Sequence, residues 1–446
     1  MGSRRSVGLR CLLACALGAA GLLAVSSPTG AQDEEHPTVV SQKAASGTAQ
    51  LHANKAVRRP HVDALARIAG TIYIGGYFRR VADDDGRHRL PNVASLDEST
   101  GQVNTDFSVD LDGPVYALAT YGNSVFIGGD FRTANGTRRT FLVKVNSTTG
   151  AVREGFDAGL RGRVNDLVVS DDRLFVAGSF RQRLVALDPG TGDDTGFFDL
   201  DIAGDIDGSR GSTSVYEIAI NEAGTRLVGV GNFETVDGQA RRRAFMAQLD
   251  DGSSTLDDWY YDSLAKHCNS KRAAKIAYLQ GVDFAPDGTY FVLVSTGSYV
   301  RTPDHIGETV CDAAARFETA DKDPERPSWI NYSGGDSIWS VAVTGAAVYV
   351  QGHIRWLDNP NGRNGFGEGA KIRRGIGAIK PGQYTETGDE IKPGGHAMTW
   401  HPVKTAQVGG EAFLATPTGL WVGSDSAEFA GDPHRGVAYV PLPPSP

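Results

Sequence analysis

The chain has 446 residues, of which 44 are Lys or Arg and 53 are Asp or Glu, and its formal net charge at pH 7 is −9. An acidic chain repels polyanions, so this balance argues against nucleic acid and against an anionic membrane surface as partners. Basic clusters occur at residues 138–139, 241–243 and 371–374. The first two precede a third strand in equivalent copies of a repeat, so we interpret them as solvated edge residues and not as a binding patch.

The N-terminus has the three parts of a secretory signal. Arginines at positions 4, 5 and 10 precede an apolar stretch over residues 11–25, and small residues at 29–31 suit a signal peptidase. We therefore predict a signal peptide over residues 1–31 and a secreted, extracellular protein. The apolar stretch is shorter than the roughly 20 residues of a membrane-spanning helix, and no second stretch follows, so no membrane insertion is expected.

Two details leave the export route open. Arg4 and Arg5 resemble the start of a twin-arginine signal, although the hydrophobic residues expected after them are missing. Residues 12–15 resemble a lipobox, but the apolar stretch continues beyond Cys15, whereas a lipidated cysteine should end it. Residues 32–59 are rich in Ala, Ser, Thr and Gln and are predicted as a flexible spacer that can lend a closing strand to the last repeat.

A pattern of two apolar runs joined by a turn recurs seven times after residue 60. The first run alternates apolar and polar residues, as in a half-buried strand, and the second ends in small residues and, in the clearest copies, an aromatic. Their spacing of about 50 to 70 residues is typical of propellers and solenoids. The copies begin at Val62, Val115, Val164, Val215, Leu279, Ile338 and Gly410.

The second copy defines the predicted unit. Its first run places small apolar side chains on one face of a strand, Gly122-Asn123 forms a hairpin, and the next run ends at Gly128-Gly129, where backbones can pack closely. Two further runs bring the unit to four strands at Phe156. These units predict an all-β chain, a seven-bladed β-propeller of four-stranded antiparallel blades, in a single domain over residues 60–446. A sheet-only solenoid is the competing architecture, although its repeats are usually shorter.

Cysteine usage agrees with export. Cys11 and Cys15 fall within the predicted signal, which leaves Cys268 and Cys311 in the mature chain. An even pair in an oxidising compartment predicts one disulfide, with two free thiols as the alternative. Neither cysteine has a second ligand at a useful spacing, so we expect no metal site here.

The repeats resemble those of a known family. The order VYALA, a turn, VFIGGDF, a turn such as Asn135-Gly136, and a third strand followed by Thr-Thr-Gly is similar to the delta-60 type β-propeller repeats of exported actinobacterial proteins. The resemblance covers residues 62–442, is strongest in the first four copies, and weakens at the Gly-Gly-x-Phe position of the last three. It implies an exported seven-bladed propeller. It implies no reaction, because the family is defined by its repeat.

The sixth copy carries the first candidate site. Repeats that depart from their own consensus either cap a ring or have been diverted to a task, and here His353-Ile-Arg-Trp356 replaces the usual ending. An imidazole, a guanidinium and an indole close together can bind a sugar ring or an anion, so His353, Arg355 and Trp356 are ligand-binding candidates. The alternative is that Trp356 fills a gap between blades while Arg355 pairs with a neighbouring Asp.

Asp336, His396 and Asp425 are further ligand-binding candidates from the same half of the chain. Asp336 follows two glycines and Asp425 follows Gly-Ser, so both are expected near strand ends at the axis or the loops of one face. Converging carboxyl and imidazole groups can act as general acid and base. The alternative for the two aspartates is turn capping.

The sequence contains no complete catalytic set. We therefore predict a non-catalytic recognition or scaffold module, without cofactor or metal and expected as a monomer, that binds a glycan or a protein at the cell envelope. The first alternative is a secreted glycan hydrolase or lyase with an acidic and His site near the sixth blade. A quinone-dependent dehydrogenase is a weaker alternative, because the repeats end in Phe where such blades usually carry a tryptophan signature.

Overall fold

The computed structural model describes residues 34–206, 208–209, 211–266, 268, 278–297, 307–361, 365–384, 389–405 and 410–444. The predicted signal peptide, residues 1–31, lies outside the described residues. Strands dominate the described part of the chain, where the one helix is a short 3-10 helix, Asp262–Ala265. The prediction of an all-β chain is therefore confirmed.

The strands are numbered in chain order. The first half contains β1 (Gln50–Leu51), β2 (His61–Ile68), β3 (Thr71–Tyr77), β4 (Arg80–Asp83), β5 (Gly86–Arg89), β6 (Val93–Asp97), β7 (Val115–Tyr121), β8 (Ser124–Gly129), β9 (Thr133–Ala134), β10 (Thr137–Arg138), β11 (Leu142–Asn146), β12 (Val164–Ser170), β13 (Arg173–Gly178), β14 (Leu184–Leu187), β15 (Ile202–Ala203), β16 (Ser214–Ile220), β17 (Arg226–Asn232), β18 (Thr235–Val236), β19 (Gln239–Ala240), β20 (Ala244–Leu249) and β21 (Ser254–Leu256). The second half contains β22 (Leu279–Phe284), β23 (Tyr290–Ser295), β24 (Ala313–Glu318), β25 (Trp329–Tyr332), β26 (Ile338–Val343), β27 (Val348–Gly352), β28 (Trp356–Leu357), β29 (Lys371–Ile372), β30 (Ile376–Ile379), β31 (Gln383–Tyr384), β32 (Glu390–Lys392), β33 (Gly410–Thr416), β34 (Gly419–Ser424), β35 (Glu428–Phe429), β36 (Asp432–Pro433) and β37 (Val437–Pro441).

Each repeat lies in its own antiparallel sheet. Within the described ranges the first strands of these sheets are β2, β7, β12, β16, β22, β26 and β33, and each pairs with the strand that follows it. Each first strand contacts the first strand of the next sheet, and β33 contacts β2. The sheets therefore form a closed ring around a common axis, which is the architecture of a β-propeller.

The sheets differ in their number of strands. Two of them, β16-β17-β20-β21 and β22-β23-β24-β25, have four strands, and the other five described repeat sheets have three. In four of those five the outer segment makes only an isolated bridge to the third strand. These bridges join Leu96 to Val103, Val145 to Val152, Leu187 to Asp194 and Ile379 to Ala397.

The Gly-Gly motif allows two close approaches. A Cβ on Gly128 would lie 2.5 Å from Cγ1 of Val164 in the next sheet, and a Cβ on Gly129 would lie 2.2 Å from the carbonyl oxygen of Pro114 in its own sheet. The aromatic that follows, Phe131, is 1% exposed. The motif therefore packs one sheet on the next and fits the backbone at the start of the first strand.

The segment predicted as a spacer contacts the last two repeat sheets. We call residues 34–51 the N-terminal strap. The backbone N–H groups of Ser41 and Ala45 donate to carbonyls of Pro441 and Tyr439 in β37, at 2.8 Å each. Val40 and Leu51 in the strap are 3% and 2% exposed. The strap thus adds an outer segment to the sheet that has β33 as its first strand.

The disulfide prediction is confirmed. Cys268 and Cys311 are bonded, with their Cα atoms 5.7 Å apart. The bond joins the segment that follows the four-stranded sheet of the fourth copy to the residue two positions before β24. Both cysteines are buried among apolar side chains, including Trp259 and Tyr261.

The prediction of solvated arginines was wrong for Arg241 and Arg243, which are 7% and 3% exposed. Arg241 Nη2 donates to the carbonyl of Asp257 at 3.1 Å, and Arg243 Nη1 donates to that of Lys266 at 3.4 Å. A guanidinium has five N–H donors, so backbone carbonyls can hold it inside the fold. Burial lowers the pKa of Arg243 to about 10.

Candidate functional site at the entrance of the ring

Every first strand has a β-bulge close to its start. The register with the second strand shifts there, so that one extra residue stands in the first strand. Bulges are common next to functional sites because they change the direction of a side chain. The extra residues are Asp63, Tyr116, Asn165, Tyr216, Gln280, Trp339 and Glu411. We call the end of the ring where these residues lie the entrance face.

A cavity of about 190 Å³ lies on the axis between the first strands and is lined by all seven of them. Asp63, Tyr116, Asn165 and Tyr216 are among its lining residues. Sites for drug-sized ligands usually measure about 300–1,000 Å³, so this cavity suits water or one slender group. Alanines keep it open and include Ala64, Ala66, Ala117, Ala119, Ala219, Ala342 and Ala412.

Two titratable side chains meet at the first bulge. His61 Nε2 lies 3.3 Å from Asp63 Oδ2. Burial raises the pKa of Asp63, the hydrogen bond and charge of His61 oppose the rise, and the negative charge of Asp425 adds to it. Asp425, one of the predicted site residues, therefore lies close enough to Asp63 to influence its ionisation.

The neighbouring bulges combine aromatic and amide groups. The Arg163 guanidinium lies 5.3 Å from the ring centre of Tyr116, and Arg163 Nε donates to Asn165 Oδ1 at 2.8 Å. Tyr216 lies beside Tyr278 with ring centres 6.4 Å apart, and burial raises the pKa of Tyr216 to about 12. Both tyrosines of the bulges are therefore neutral hydrogen-bonding aromatics at physiological pH.

Three carboxyl groups lie deeper in the cavity, each bonded to the backbone of the next first strand. Asp166 Oδ2 accepts from Ile218 N at 2.8 Å. Glu217 Oε1 accepts from Val282 N at 3.4 Å. Asp283 Oδ2 accepts from Val343 N at 2.7 Å. First strands of neighbouring sheets share no ladder, so these acids satisfy backbone donors that the fold leaves open.

The surroundings of these carboxyl groups disfavour their charged forms. Burial raises the pKa of Asp166 to about 6, against backbone hydrogen bonds from Ile218 and Leu167 that lower it. Burial also raises the pKa of Glu217 well above its usual range, and the charges of Asp166 and Asp283 raise it further. The middle of the cavity is thus a site of low dielectric that carries concentrated acidic groups.

The sixth-copy candidates form a cluster at the same end of their sheet. Arg355 binds Asp336 through two hydrogen bonds, Nε to Oδ2 at 2.7 Å and Nη2 to Oδ1 at 2.8 Å. The guanidinium carbon lies 4.4 Å from the ring centre of Trp356. Asp336 is almost fully buried, whereas the side chain of Arg355 is 41% exposed. This ion pair agrees with the structural alternative that pairs Arg355 with an Asp.

The two candidate histidines lie apart from each other. His353 is exposed and follows the end of β27, close in sequence to the cluster of Asp336, Arg355 and Trp356. His396 is exposed on the outer segment that pairs with β30, next to Ile379, at the end of the sheet opposite the bulges. The candidates therefore do not all share one pocket.

Sequence reasoning missed the bulge residues and the acids below them. A signal was present, because in each first strand an apolar residue or a glycine comes directly before the bulge residue, which is polar or aromatic, as in Val62-Asp63 and Val115-Tyr116. If the alternation were unbroken, these residues would be ordinary solvent-facing positions. They face the axis only because a bulge adds one residue to the strand and changes the direction of its side chain.

The described residues contain neither a metal-binding cluster nor a membrane-spanning helix. No group of three or more His, Cys, Asp or Glu side chains in that part of the chain is arranged to hold a metal ion. No helix among the same residues is long and apolar enough to cross a membrane.

Comparison with known proteins identifies the fold alone. No protein-family model matches the sequence, and no curated protein matches it. The solved WD40 repeats of RRP9 are similar over 90% of this chain and 99% of that chain, with 9% identity and a TM-score of 0.51. The solved structure of U3-55K is similar over 90% of this chain and 100% of that chain, with 9% identity and a TM-score of 0.52. In fold the chain is thus a β-propeller similar to WD40-repeat proteins.

Proposed function

We propose that this chain is an exported, non-catalytic recognition module, a propeller of seven four-stranded blades that binds a glycan or a protein at the cell envelope through its entrance face. The observation that carries the proposal is the set of bulges, which directs a polar or aromatic residue to the axis end of the first strands. The resemblance to delta-60 repeats supports export, and the outer bridges and the strap support a fourth strand position in the blades.

The chemistry of the entrance face suits recognition. Tyr116 and Tyr216 offer rings for stacking and hydroxyls for hydrogen bonds, as binding surfaces commonly do. Asn165 and Asp63 add an amide and a carboxylate at the same level of the ring. The indole Nε1 of Trp339 is buried and makes no hydrogen bond within the described part of the chain, which leaves a donor at this end.

Catalysis is less well supported. The observation in its favour is Asp166, because a carboxyl with a pKa of about 6 suits a general acid. However, its two oxygens accept backbone N–H groups of Leu167 and Ile218, both at 2.8 Å. The cavity around it is also small for a sugar ring. A structural role explains these contacts without a reaction.

Binding measurements on purified residues 32–446 test the proposal. A glycan array and a panel of isolated actinobacterial envelope proteins are probed with the wild type, the double variant Tyr116→Ala, Tyr216→Ala, and the control Tyr121→Ala at the opposite end of β7. We expect the double variant to weaken binding at least tenfold, about 1.4 kcal/mol, and the control to bind as the wild type does. Equal binding by all three proteins would exclude the entrance face, and turnover of a bound glycan would favour the enzyme.

A further inference from the structure

We propose that the axial cavity below the entrance face binds a primary ammonium group, such as the end of a lysine side chain, between the carboxyl groups of Asp166 and Glu217 and the hydroxyl of Ser340. This inference rests on the proposed function, since the ammonium would be part of the ligand that the entrance face recognises. The inference goes beyond the proposed function because it names the chemical class of the ligand group that enters the ring.

The three side chains lie at one level of the ring. Each is the residue directly after a bulge: Asp166 follows Asn165, Glu217 follows Tyr216, and Ser340 follows Trp339. All three line the same cavity. The equivalent positions in the first, second, fifth and last copies hold Ala64, Ala117, Gly281 and Ala412, which have no polar side-chain atom. At this level of the ring the polar groups therefore lie on one side, and the remaining positions have no polar side-chain atom.

Ser340 is the independent sign of a ligand. It is 4% exposed, and its Oγ makes no hydrogen bond to the described residues. A buried hydroxyl without a partner is destabilising, and native proteins usually pair such groups with protein, water or a ligand. An ammonium group has three donors and needs three acceptors, which this hydroxyl and two carboxyl groups supply.

The charges in the cavity also favour a cationic ligand. Asp166 and Glu217 form no salt bridge within the ranges that the structure describes. Their charged forms are disfavoured by burial, and Asp283 in the same cavity adds to the repulsion at Glu217. Buried carboxylates in proteins are usually paired with a cation. A cation that enters from the entrance face would supply the missing charge.

The dimensions select a slender ligand. A cavity of about 190 Å³ lined by alanines admits an unbranched chain of methylenes with a charged end. The apolar stem would contact residues such as Ala64 and Ala117, as lysine stems do when they cover apolar surface. Tyr116 and Tyr216 at the mouth would lie beside the stem and attract the cation on its way in.

Two probes distinguish the sources of such a group. Butylammonium represents a free amine, and the peptide Gly-Gly-Lys-Gly-Gly represents a lysine of a partner protein, with norleucine in place of lysine as its uncharged control. Titration calorimetry with residues 32–446 measures binding of each at pH 7. Because the cation stabilises the charged carboxylates, we expect binding to release protons, which is seen as a heat that depends on the ionisation enthalpy of the buffer.

Variants locate the site. Glu217→Gln keeps the shape and an acceptor for Val282 N, and we expect it to weaken binding of the charged probes at least tenfold. Ser340→Ala should weaken it by a smaller factor. Glu222→Gln removes the same charge from an exposed turn and should bind as the wild type does. Thermal unfolding of each variant verifies its fold, and the proton release of the wild type gives a readout that needs no variant.

The outcomes decide between the sources and test the inference. Binding of the lysine peptide alone supports a partner's lysine, binding of butylammonium alone supports a free amine, and binding of both supports the shared chemistry. Absence of binding by both probes, equal affinity for the norleucine peptide, or undiminished binding by Glu217→Gln would overturn it. If the wild type binds neither probe but still binds an envelope ligand that the Tyr116→Ala, Tyr216→Ala variant loses, the ammonium site alone is wrong.

Discussion

Replacement of Asp166 by Asn tests the electrostatics of the axial cavity. The pKa of this carboxyl is about 6 in the folded chain, against an ordinary value of 3.8. The folded state therefore holds the proton more tightly than the unfolded state does. The stabilisation by this group is fully present below pH 3.8 and is lost as the pH rises through 6. At 1.36 kcal/mol for each pKa unit, the free energy of unfolding falls by about 3 kcal/mol in total.

An amide cannot ionise, so the Asp166→Asn variant lacks this loss. The variant also lacks one of the two carboxylate oxygens that accept from Leu167 N and Ile218 N, which costs about 1–3 kcal/mol at every pH. We therefore expect the variant to be less stable than the wild type at pH 4 and of similar or higher stability at pH 8. The difference between the two proteins should change by about 2.5 kcal/mol over this range, because a small part of the loss has already occurred at pH 4.

Urea unfolding at fixed temperature from pH 4 to pH 8 measures this difference. Carboxyl groups far from Asp166 titrate alike in both proteins, so their contributions cancel in the comparison. The pKa of Glu217 is raised partly by the charge of Asp166, so Glu217 destabilises the variant less than the wild type at high pH and adds to the predicted change. Equal urea slopes would show that the unfolded states are comparable. Parallel stability curves for wild type and Asp166→Asn over the whole range would refute a raised pKa at Asp166.

Three further predictions concern the scaffold. Replacing Cys268 and Cys311 by Ser should lower the free energy of unfolding by about 4 kcal/mol, the chain-entropy value for a closed loop of this size, and reduction of the wild type should have the same effect in a denaturation experiment. Deleting the strap, residues 34–51, should lower the free energy of unfolding by about 3–6 kcal/mol, because the apolar side chains of Val40 and Leu51 lose their burial. A chain that begins at residue 34 is the control. Equal melting temperatures of the two chains would contradict the packing of the strap. Arg355→Ala should lower the free energy of unfolding by about 1–3 kcal/mol, since Asp336 is left buried without its partner and solvent screens part of the attraction at the exposed guanidinium. A double-mutant cycle with Asp336→Asn that gives no coupling energy would show that the pair is not stabilising.

The ring of sheets could be predicted from the repeats, and the site could not. Apolar alternation and the Gly-Gly-x-Phe ending identify the hairpins, because the glycines fit places where a Cβ would meet backbone or the next sheet. The same glycines also point to the bulges, since Gly129 faces the backbone just before Val115, where the register shifts. The relation between these glycines and the bulges can be recognised only once the pairing of the strands is known.

Two other features depend on contacts between distant residues. The strap has the composition of a spacer, yet Val40 is buried among residues of the last two sheets and Leu51 among residues of the first and last sheets. Asp166 and Glu217 stand where alternation expects a small residue, and their bonds to the backbone of the next sheet cannot be read from one strand alone. In the sixth copy the departure of the repeat from the others pointed to Arg355, and its ion pair with Asp336 agrees with the alternative that pairs Arg355 with a neighbouring Asp.

Hydroxyl-radical footprinting tests the role of the entrance face most directly. Residues 32–446 are oxidised alone and in the presence of an isolated cell-envelope preparation, and the modification of each aromatic side chain is measured by mass spectrometry. Recognition through the entrance face predicts protection of Tyr116, Tyr216 and Trp339, with no change at Tyr121 on the opposite end. Protection of Tyr121 without protection of the other three, while the protein is bound to the envelope, would contradict it.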